Sequence, residues 1–328
     1  MYRVPHLRPR QFLAGLALSA SAIVLASCQT ALTPDQAPIP EEVVGQIIAI
    51  GSTPASPIYV RIFKEESELE VWKRRADGTY ALLDTFEICA WSGELGPKIQ
   101  EGDRQAPEGF YQVTPAQMNP NSSYHLSFNI GFPNPFDEAH ERTGSHLMVH
   151  GACSSAGCYS MTDETVEVIY ALAREAFRGG QRAFDVHAFP FRMTPENFAR
   201  HWGDPNMPFW LMLKEGYDHF EVTREVPEVD ICDYRYIFNA EAGDDAAFIP
   251  AEACPAFEIP QEITEPLVAK WEADDIAFRA ALAEIEAEAG VAAEANRIAG
   301  PATLMPVTAY RPEFAAATPA IDALVGDE

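Results

Sequence analysis

The stretch Arg142–Asp163 reads RTGSHLMVHGACSSAGCYSMTD and carries most of the information about this fold. Its apolar run from His146 to His150 ends abruptly at a glycine, as expected of a buried strand that leads into a loop. The Gly-, Ser- and Ala-rich loop that follows reaches Cys158 just before a helix, for which Thr162 is a suitable N-cap. The stretch therefore predicts a strand, a loop, a cysteine and a helix in succession.

Cys158 and His150 form a candidate catalytic pair. A free cysteine is only a few per cent thiolate at neutral pH, so a nearby imidazole that acts as a base matters. The start of the following helix adds positive potential, which favours thiolate. The backbone N–H groups of Gly157 and Cys158 could form an oxyanion hole. The sequence thus predicts a Cys158 nucleophile with His150 as general acid and base.

Strand signals precede this stretch and helices follow it. Asp77-Gly78 is a strong hairpin turn signal between two strand runs. The predicted strands are Ile58–Lys64, Glu68–Arg75, Tyr80–Cys89, Tyr124–Ile130, His146–His150 and Arg182–Phe189, and helices are predicted from Asp163, from Pro195, around Phe209 and over Glu265–Gly290. This pattern predicts a mostly β fold with helices (α+β) and a C-terminal helical extension.

Composition excludes two classes of protein. The chain has 328 residues, of which 47% are hydrophobic and 22% charged, so wholesale disorder is not expected. The formal net charge of −26 repels phosphate backbones, so no nucleic-acid partner is expected.

The N-terminus has the pattern of an export signal. Three arginines precede the apolar run from Phe12 to Leu25, which is too short and too rich in small residues for a membrane span. The tetrapeptide Leu25-Ala26-Ser27-Cys28 resembles a bacterial lipobox, in which Cys28 would be acylated, and Gln29 after it suggests the outer membrane. A plain secretory signal is the alternative. We expect a periplasmic protein with a lipid anchor in the membrane.

The remaining cysteines indicate a disulfide framework with one thiol left over. After Cys28, the chain has Cys89, Cys153, Cys158, Cys232 and Cys254, an odd number for an oxidising compartment. Cys232 and Cys254 flank an acidic loop and make the most natural bridge. Cys153 could be an inert loop residue or a partner of Cys158 or of Cys89, and Cys89 is most simply a small buried apolar residue.

These motifs resemble the YkuD-type L,D-transpeptidase domain. His150-Gly151 followed by Ser155-Ala156-Gly157-Cys158 is similar to its catalytic motif, and Gly102–Tyr111 (GDRQAPEGFY) is similar to its upstream element. Ala156 replaces the histidine of the longer common form, and the interval from His to Cys is short. Both departures are similar to the YafK-like branch, as is the stretch Val186–Thr194.

The resemblance implies a YkuD-like β-sandwich or barrel-like domain that acts on peptidoglycan stem peptides. It implies two activities at meso-diaminopimelate: L,D-transpeptidation, as a murein L,D-transpeptidase, or hydrolysis, as a peptidoglycan meso-diaminopimelic acid protein amidase that releases a wall-linked outer-membrane lipoprotein. Both pass through a thioester, so the sequence leaves the choice open. The alternative function is a non-catalytic peptidoglycan-binding lipoprotein.

Several residues around this pair are candidates for substrate binding. Arg104 or Arg142 could hold a substrate carboxylate, although a surface role is favoured for each taken alone. His146 is four residues from His150 on a predicted strand face, so it could line the groove or be structural. His187 is expected to be a strand histidine. Tyr111 and Tyr159 are expected to be packing residues, and Tyr159 is the better candidate of the two to touch substrate because it adjoins Cys158. The substrate-binding candidates are Arg104, His146, Gly151, Ser155 and Tyr159.

No cofactor is expected. A zinc site formed by His146, His150, Cys153 and Cys158 is chemically allowed, but its spacing matches no common structural zinc pattern. The predicted organisation is a lipoprotein signal peptide (1–27), a tether (28–57), the catalytic domain (58–240), a helical extension (241–299) and a disordered tail (300–328).

Overall fold

The computed structural model describes residues 32–243 and 246–295. The chain divides into a unit of residues Met1–Leu32 and a unit that begins at Thr33, and the fold described below belongs to the second. In these described ranges, no helix is both long and apolar enough to cross a membrane. The predictions for the signal peptide, Cys28 and the C-terminal tail lie outside the described residues.

Two larger β-sheets, two two-stranded sheets and a set of helices build the described part of the fold. The strands are β1 (Ile58–Phe63), β2 (Glu68–Arg74), β3 (Tyr80–Glu87), β4 (Gly109–Val113), β5 (Met118–Asn119), β6 (Ser127–Asn129), β7 (Met148–His150), β8 (Tyr159–Ser160), β9 (Phe184–Phe189), β10 (Val229–Cys232), β11 (Arg235–Phe238), β12 (Glu241–Ala242) and β13 (Phe257–Glu258). The helices are α1 (Glu41–Ala49), α2 (Pro135–Ala139), α3 (Asp163–Arg178), α4 (Pro195–Arg200), α5 (Met207–Thr223) and α6 (Gln261–Ala295).

The larger sheet has the strand order β3-β2-β1-β9-β4, and the smaller has the order β5-β6-β7-β8. The two-stranded sheets are β10-β11 and β12-β13. β1 pairs antiparallel with β2 and parallel with β9. The predicted turn at Asp77-Gly78 joins β2 to β3, and Gly78 has a φ of +97°, which favours glycine. The mixed α+β class expected from the sequence is therefore confirmed.

The main hydrophobic core joins both sheets to α3. Alternation along β9 sends Phe184, Val186 and Ala188 into this core. Val149 of β7 and Tyr159 of β8 enter it from the smaller sheet. The residues of β7 and β8 that alternate with Val149 and Tyr159 therefore lie on the outer face of the smaller sheet.

Helix α3 begins at Asp163, where the sequence predicts a helix with Thr162 as its N-cap. The Thr162 side chain accepts a hydrogen bond from the Thr165 N–H at 3.2 Å, as an N-cap should. The helix ends at Arg178, and Gly179-Gly180 follow it. Its buried side, which includes Val166, Ile169 and Ala173, belongs to the main core.

A second core on the other face of the larger sheet holds the C-terminal helix. Leu267, Phe278 and Leu282 of α6 are buried, and this helix packs against α4 and α5. Asp274 of α6 is also buried and pairs with Lys214 of α5 and with Lys270. The contact between α5 and α6 therefore contains an ion pair.

The residues assigned to a tether are partly folded, so that prediction was wrong from residue 33 onward. Helix α1 lies within it, and Ile39 and Ile47 are buried in the main core. Arg174 of α3 donates to the carbonyl oxygens of Asp35 and Ala37. The Pro- and Ala-rich composition obscured the helical spacing of a few apolar residues, which pack on α3.

Candidate active site

Strands β7 and β8 bring the predicted catalytic residues to neighbouring strands. They run parallel, with Val149 opposite Tyr159 and His150 opposite Ser160. Cys158 immediately precedes β8, and the Met148 N–H donates to its Sγ at 3.4 Å. The Cys158 thiol therefore contacts the backbone of β7, the strand that ends at His150.

A backbone hydrogen bond orients His150. Its Nδ1 lies 2.6 Å from the carbonyl oxygen of Gly151, and a carbonyl can only accept. The assigned tautomer therefore carries its proton on Nδ1 and leaves the Nε2 lone pair available as a base. Burial lowers the pKa of His150, and the bond to Gly151 only partly offsets this. His150 is therefore neutral at neutral pH.

Tyr124 is a site residue that the sequence analysis missed. Its ring lies 4.7 Å from the His150 ring between centroids, at an interplanar angle of 33°. Half of Tyr124 is exposed, so the same ring borders solvent. The sequence places Tyr124 at the start of a strand, and its contact with His150 depends on the pairing of β6 with β7.

Cys158 is a half-buried free thiol. Its Sγ donates to the His146 carbonyl oxygen at 3.6 Å. Burial raises the pKa of Cys158, which the Met148 N–H and the charge of Lys98 partly offset. The start of α3 was expected to favour the thiolate of Cys158. It does not contribute to the pKa of Cys158, because β8 separates this residue from α3. The pair is therefore a neutral thiol beside a neutral imidazole.

Ser155 organises the turn before the nucleophile. The N–H groups of Gly157 and Cys158 both point at its Oγ, at 3.3 and 3.1 Å, and that hydroxyl donates to the Cys158 carbonyl oxygen at 2.6 Å. The two N–H groups proposed for an oxyanion hole are thus close together, but they are occupied by Ser155. An oxyanion could bind there only by displacing the Ser155 hydroxyl.

A disulfide from Cys89 to Cys153 holds the loop between β7 and β8. Cys89 is followed by Ala90, which bridges to Ser160 of β8. Of the three alternatives for Cys153, the structure shows the pairing with Cys89, so the interpretation of Cys89 as an unpaired apolar residue was wrong. Cys158 is left as the unpaired thiol of the described chain.

The second predicted disulfide, between Cys232 and Cys254, is present. It links the end of β10 to the segment before β13. It is therefore remote in sequence from the loop that carries Cys158.

Arg104 and His146 both lie near Cys158. Arg104 is exposed, and its backbone lies 3.9 Å from where a Cβ on Gly157 would be. His146 is exposed with a φ of +57° and precedes β7, so it does not share a strand face with His150 as expected. Its carbonyl oxygen, rather than its ring, accepts the hydrogen bond from the Cys158 Sγ.

Two substrate-binding candidates are buried instead. Tyr159 is fully buried and its hydroxyl donates to the Pro107 carbonyl oxygen at 2.6 Å, because alternation turns it away from Cys158 into the core. Arg142 pairs with the buried Asp137 at 2.9 Å and lies over the Phe136 ring. Both are structural residues, so the predictions that they contact substrate were wrong.

Gly151 contributes through its backbone. Its N–H donates to the Tyr124 carbonyl oxygen at 3.1 Å, and its carbonyl oxygen holds His150. A Cβ at this position would lie 2.5 Å from Asp163 Oδ1 and 3.0 Å from the Tyr124 oxygen. The absence of a side chain therefore allows the chain to pass close behind His150.

The upstream element Gly102–Tyr111 forms a scaffold beside the nucleophile. Glu108 is buried and accepts from the Lys64 ammonium at 2.9 Å and from the Trp210 indole at 3.0 Å. Lys64 also donates to the carbonyl oxygens of Gly96 and Ala106. These bonds fix the loop whose Ser92 lies 3.4 Å from Ser155, oxygen to oxygen.

The residues that would have formed a zinc site do not assemble one. Cys153 is in a disulfide, and no group of three or more His, Cys, Asp or Glu residues within the described ranges could hold a metal ion.

Comparison with known proteins places the chain in a family. The chain is 45% identical over 184 residues, 56% of its own length, to the protein named "Putative L,D-transpeptidase YafK" of Escherichia coli strain K12, and it covers 74% of that protein. The protein of the same name from Escherichia coli O157:H7 matches equally. No family model matches the chain.

Solved structures give more remote likenesses. A point mutant of the helical cell shape determining protein Pgp2 of Campylobacter jejuni is 20% identical with a TM-score of 0.34, over 55% of this chain and 64% of that one. Bd1075 of Bdellovibrio bacteriovorus is 14% identical with a TM-score of 0.29, over 52% and 61%. This chain thus spans less than two thirds of either protein, and likenesses this remote carry no information on function.

The sequence relationship is of a different order, since nearly half of the residues agree over three quarters of the relative's length. The chain belongs to the family of YafK-like L,D-transpeptidases.

Proposed function

We propose that this protein is a cysteine-dependent peptidoglycan enzyme that works through a thioester on Cys158. The observation that carries the proposal is the contact of the free Cys158 thiol with β7, the strand that ends at His150, whose Nδ1 is held by the Gly151 carbonyl oxygen. This arrangement leaves Nε2 as the base and the free thiol as the nucleophile. The family membership supports the same reaction class.

The first half-reaction follows from the protonation states. As the Cys158 Sγ bonds to a substrate carbonyl carbon, its proton passes to the His150 Nε2. His150 then returns that proton to the leaving amine as the C–N bond breaks. The products are a released amine and a Cys158 thioester. Because the resting thiol is neutral, the proton transfer accompanies the attack.

The second half-reaction decides the class of enzyme. If water attacks the thioester, His150 takes its proton and the net reaction is hydrolysis. If a second amine attacks, a new amide forms and the net reaction is transpeptidation. We propose that Cys158 attacks a carbonyl bonded to meso-diaminopimelate in a peptidoglycan stem peptide, as the YafK-like family implies. A wall-linked outer-membrane lipoprotein is then a candidate partner.

We further propose that the chain is lipid-anchored at Cys28 and faces the periplasm. Partitioning into detergent that is lost in Cys28→Ser tests this anchor.

Muropeptide analysis tests the proposed reaction. The purified chain is incubated with meso-diaminopimelate muropeptides and with a wall-linked peptide, in parallel with Cys158→Ser. We expect changed products with the wild-type chain alone. Loss of the linked peptide without a new cross-link indicates hydrolysis, whereas a new cross-link indicates transfer. Unchanged substrates in both samples would contradict the proposed enzyme and favour a binding protein.

A further inference from the structure

A cavity of about 610 Å³ lies on the face of the larger sheet that is remote from Cys158. β4 pairs with β9 so that Phe110 is opposite His187 and Gln112 is opposite Asp185. Alternation puts these four residues on the face away from the main core. No residue that lines the cavity belongs to β7, β8 or the loop between them. The cavity is therefore separate from the candidate active site, and it falls in the size range of ligand pockets.

The lining of this cavity is anionic. It contains the carboxylates of Asp185 and Glu228 and no lysine or arginine. One oxygen of Asp185 accepts from Gln112 Nε2 at 3.0 Å, which is the side-chain partner recorded for it. Burial raises the pKa of Asp185 to about 6, so it is still ionised at neutral pH. An ionised carboxylate without a cation, in a concave site, favours a cationic ligand.

His187 adds a polar atom without a partner. Its Nδ1 lies 2.7 Å from the Tyr59 hydroxyl, and burial raises the pKa of Tyr59 well above its usual value. The phenol is therefore protonated, and by donating to Nδ1 it leaves the hydrogen of His187 on Nε2. Burial lowers the pKa of His187 to about 3, so it adds no positive charge. The Nε2 is buried and has no hydrogen-bond partner.

The spacing of these two groups resembles that of a lysine residue. Asp185 and His187 are two residues apart on one strand face, or about 7 Å at 3.3 Å per residue. An extended lysine separates its ammonium from its own carbonyl oxygen by about 6 to 7 Å, from standard bond lengths. Apolar side chains, among them Val229 and Ile231, line the cavity and could pack against its methylenes.

We propose that this cavity binds the primary alkylammonium side chain of a peptide. The ammonium lies on the free oxygen of Asp185, and the peptide carbonyl accepts from the His187 Nε2–H. An ammonium fits better than a guanidinium, because Gln112 already occupies one carboxylate oxygen and prevents a bidentate contact. The formal charge of −26 attracts such a ligand to the protein. The peptide is a lysine-containing protein segment or an amine-bearing wall stem.

Calorimetric titration of the whole chain tests this site, with Cys158→Ser as background so that no turnover occurs. The probes are an acetylated, amidated Ala-Lys-Ala peptide, the same peptide with norleucine for lysine, and a stem peptide with a free diaminopimelate amine. We expect saturable binding of at least one amine peptide and none of the norleucine peptide. Which amine peptide binds identifies the source.

Substitutions locate the binding. Asp185→Asn keeps an oxygen for Gln112 and should weaken binding at least tenfold. Glu228→Lys, at an exposed position, should weaken it about threefold. Asp230→Asn, on the neighbouring β10 but outside the lining, is the matched control and should bind as before. Binding that is unchanged in both Asp185→Asn and Glu228→Lys, or absent with every amine, overturns the proposal. Neither result depends on whether Cys158 is catalytic.

Discussion

His150 ends the strand whose backbone contacts the Cys158 thiol, and Cys158 immediately precedes the parallel strand beside it. The register that sets His150 opposite Ser160 also brings the Met148 N–H within 3.4 Å of the Cys158 Sγ. The loop that joins β7 to β8 accounts for the sequence interval between His150 and Cys158. The way in which that loop and the imidazole are held decides the reactivity of the thiol.

Replacing the base should slow acylation and leave the thiol in place. We expect His150→Gln to reduce the rate of thioester formation by about 10² to 10⁴, the usual contribution of general acid–base catalysis. The measurement is the single-turnover rate of Cys158 acylation, with total thiol titrated to show that the protein is intact.

His140→Gln is the matched control for that variant. Its Nδ1 also bonds a carbonyl oxygen, that of Phe136 at 2.9 Å, and its ring lies 4.2 Å from the Phe136 ring. It is the C-cap of α2, outside the candidate site. An equal rate loss in both variants would show that His150 has only a structural role.

The pH profile should reflect the lowered pKa of His150. A base must be neutral, so activity falls as pH drops through its pKa. Because burial lowers the pKa of His150, this fall should occur below the ordinary value of 6.5. We expect the acylation rate to be sustained at pH 6.5 and lost at lower pH. A half-maximal rate at 6.5 or above would contradict the buried, neutral base.

The disulfide next to the nucleophile should stabilise the fold more than the other one. Cys89 and Cys153 are separated by 64 residues, and Cys232 and Cys254 by 22. Loop-closure entropy then gives about 4 kcal/mol for the first and about 3 kcal/mol for the second. Chemical denaturation of the two double-serine variants measures the difference. We also expect slower Cys158 acylation only in Cys89→Ser/Cys153→Ser, and equal slowing in the other variant would contradict that.

The ion pair under the upstream element should be costly to break. Lys64 and Glu108 are both fully buried, so Lys64→Met leaves an unpaired buried carboxylate and should lower the free energy of unfolding by about 3 to 5 kcal/mol. Arg200→Met removes an exposed pair with Glu65 and is the control, with an expected loss of less than about 1 kcal/mol. Similar losses in the two variants, from denaturant melts, would refute the structural role of Lys64.

Asp185 should destabilise the native protein at neutral pH. Its pKa is raised by burial to about 6 from an ordinary 3.8, so the native state binds its proton more tightly than the unfolded state. This contribution is favourable below pH 3.8 and is lost as pH rises through about 6. Asp185→Asn should therefore be more stable than wild type at pH 7, by up to about 3 kcal/mol, and the difference should vanish near about pH 4. A variant that is less stable at pH 7 would contradict this.

The sequence predicted those parts of the fold that depend on local pattern. The alternation in β1 to β3, the Asp77-Gly78 turn and the Thr162 cap each act within a few residues, and the structure has them. The resemblance of the motifs around His150 and Cys158 identified the family correctly.

Features that depend on tertiary contacts escaped the sequence analysis. The stacking of Tyr124 on His150 needs the register of β6 on β7, and the choice of Cys89 as partner of Cys153 needs the bridge from Ala90 to Ser160. The burial of Tyr159 follows from alternation in a strand too short to recognise from sequence. The Pro- and Ala-rich composition likewise led to the prediction of a tether where the structure has α1.

Intact-mass spectrometry of the reduced-and-reoxidised chain after incubation with a carbapenem and with muropeptides tests the central claim most directly. Cys158 is the free thiol of the described chain, so the account predicts one acyl adduct that maps to Cys158, disappears in Cys158→Ser and persists in the His140→Gln control. Cys158 that is shown to be a free thiol, yet forms no adduct with either reagent while the muropeptides stay unchanged, would contradict it.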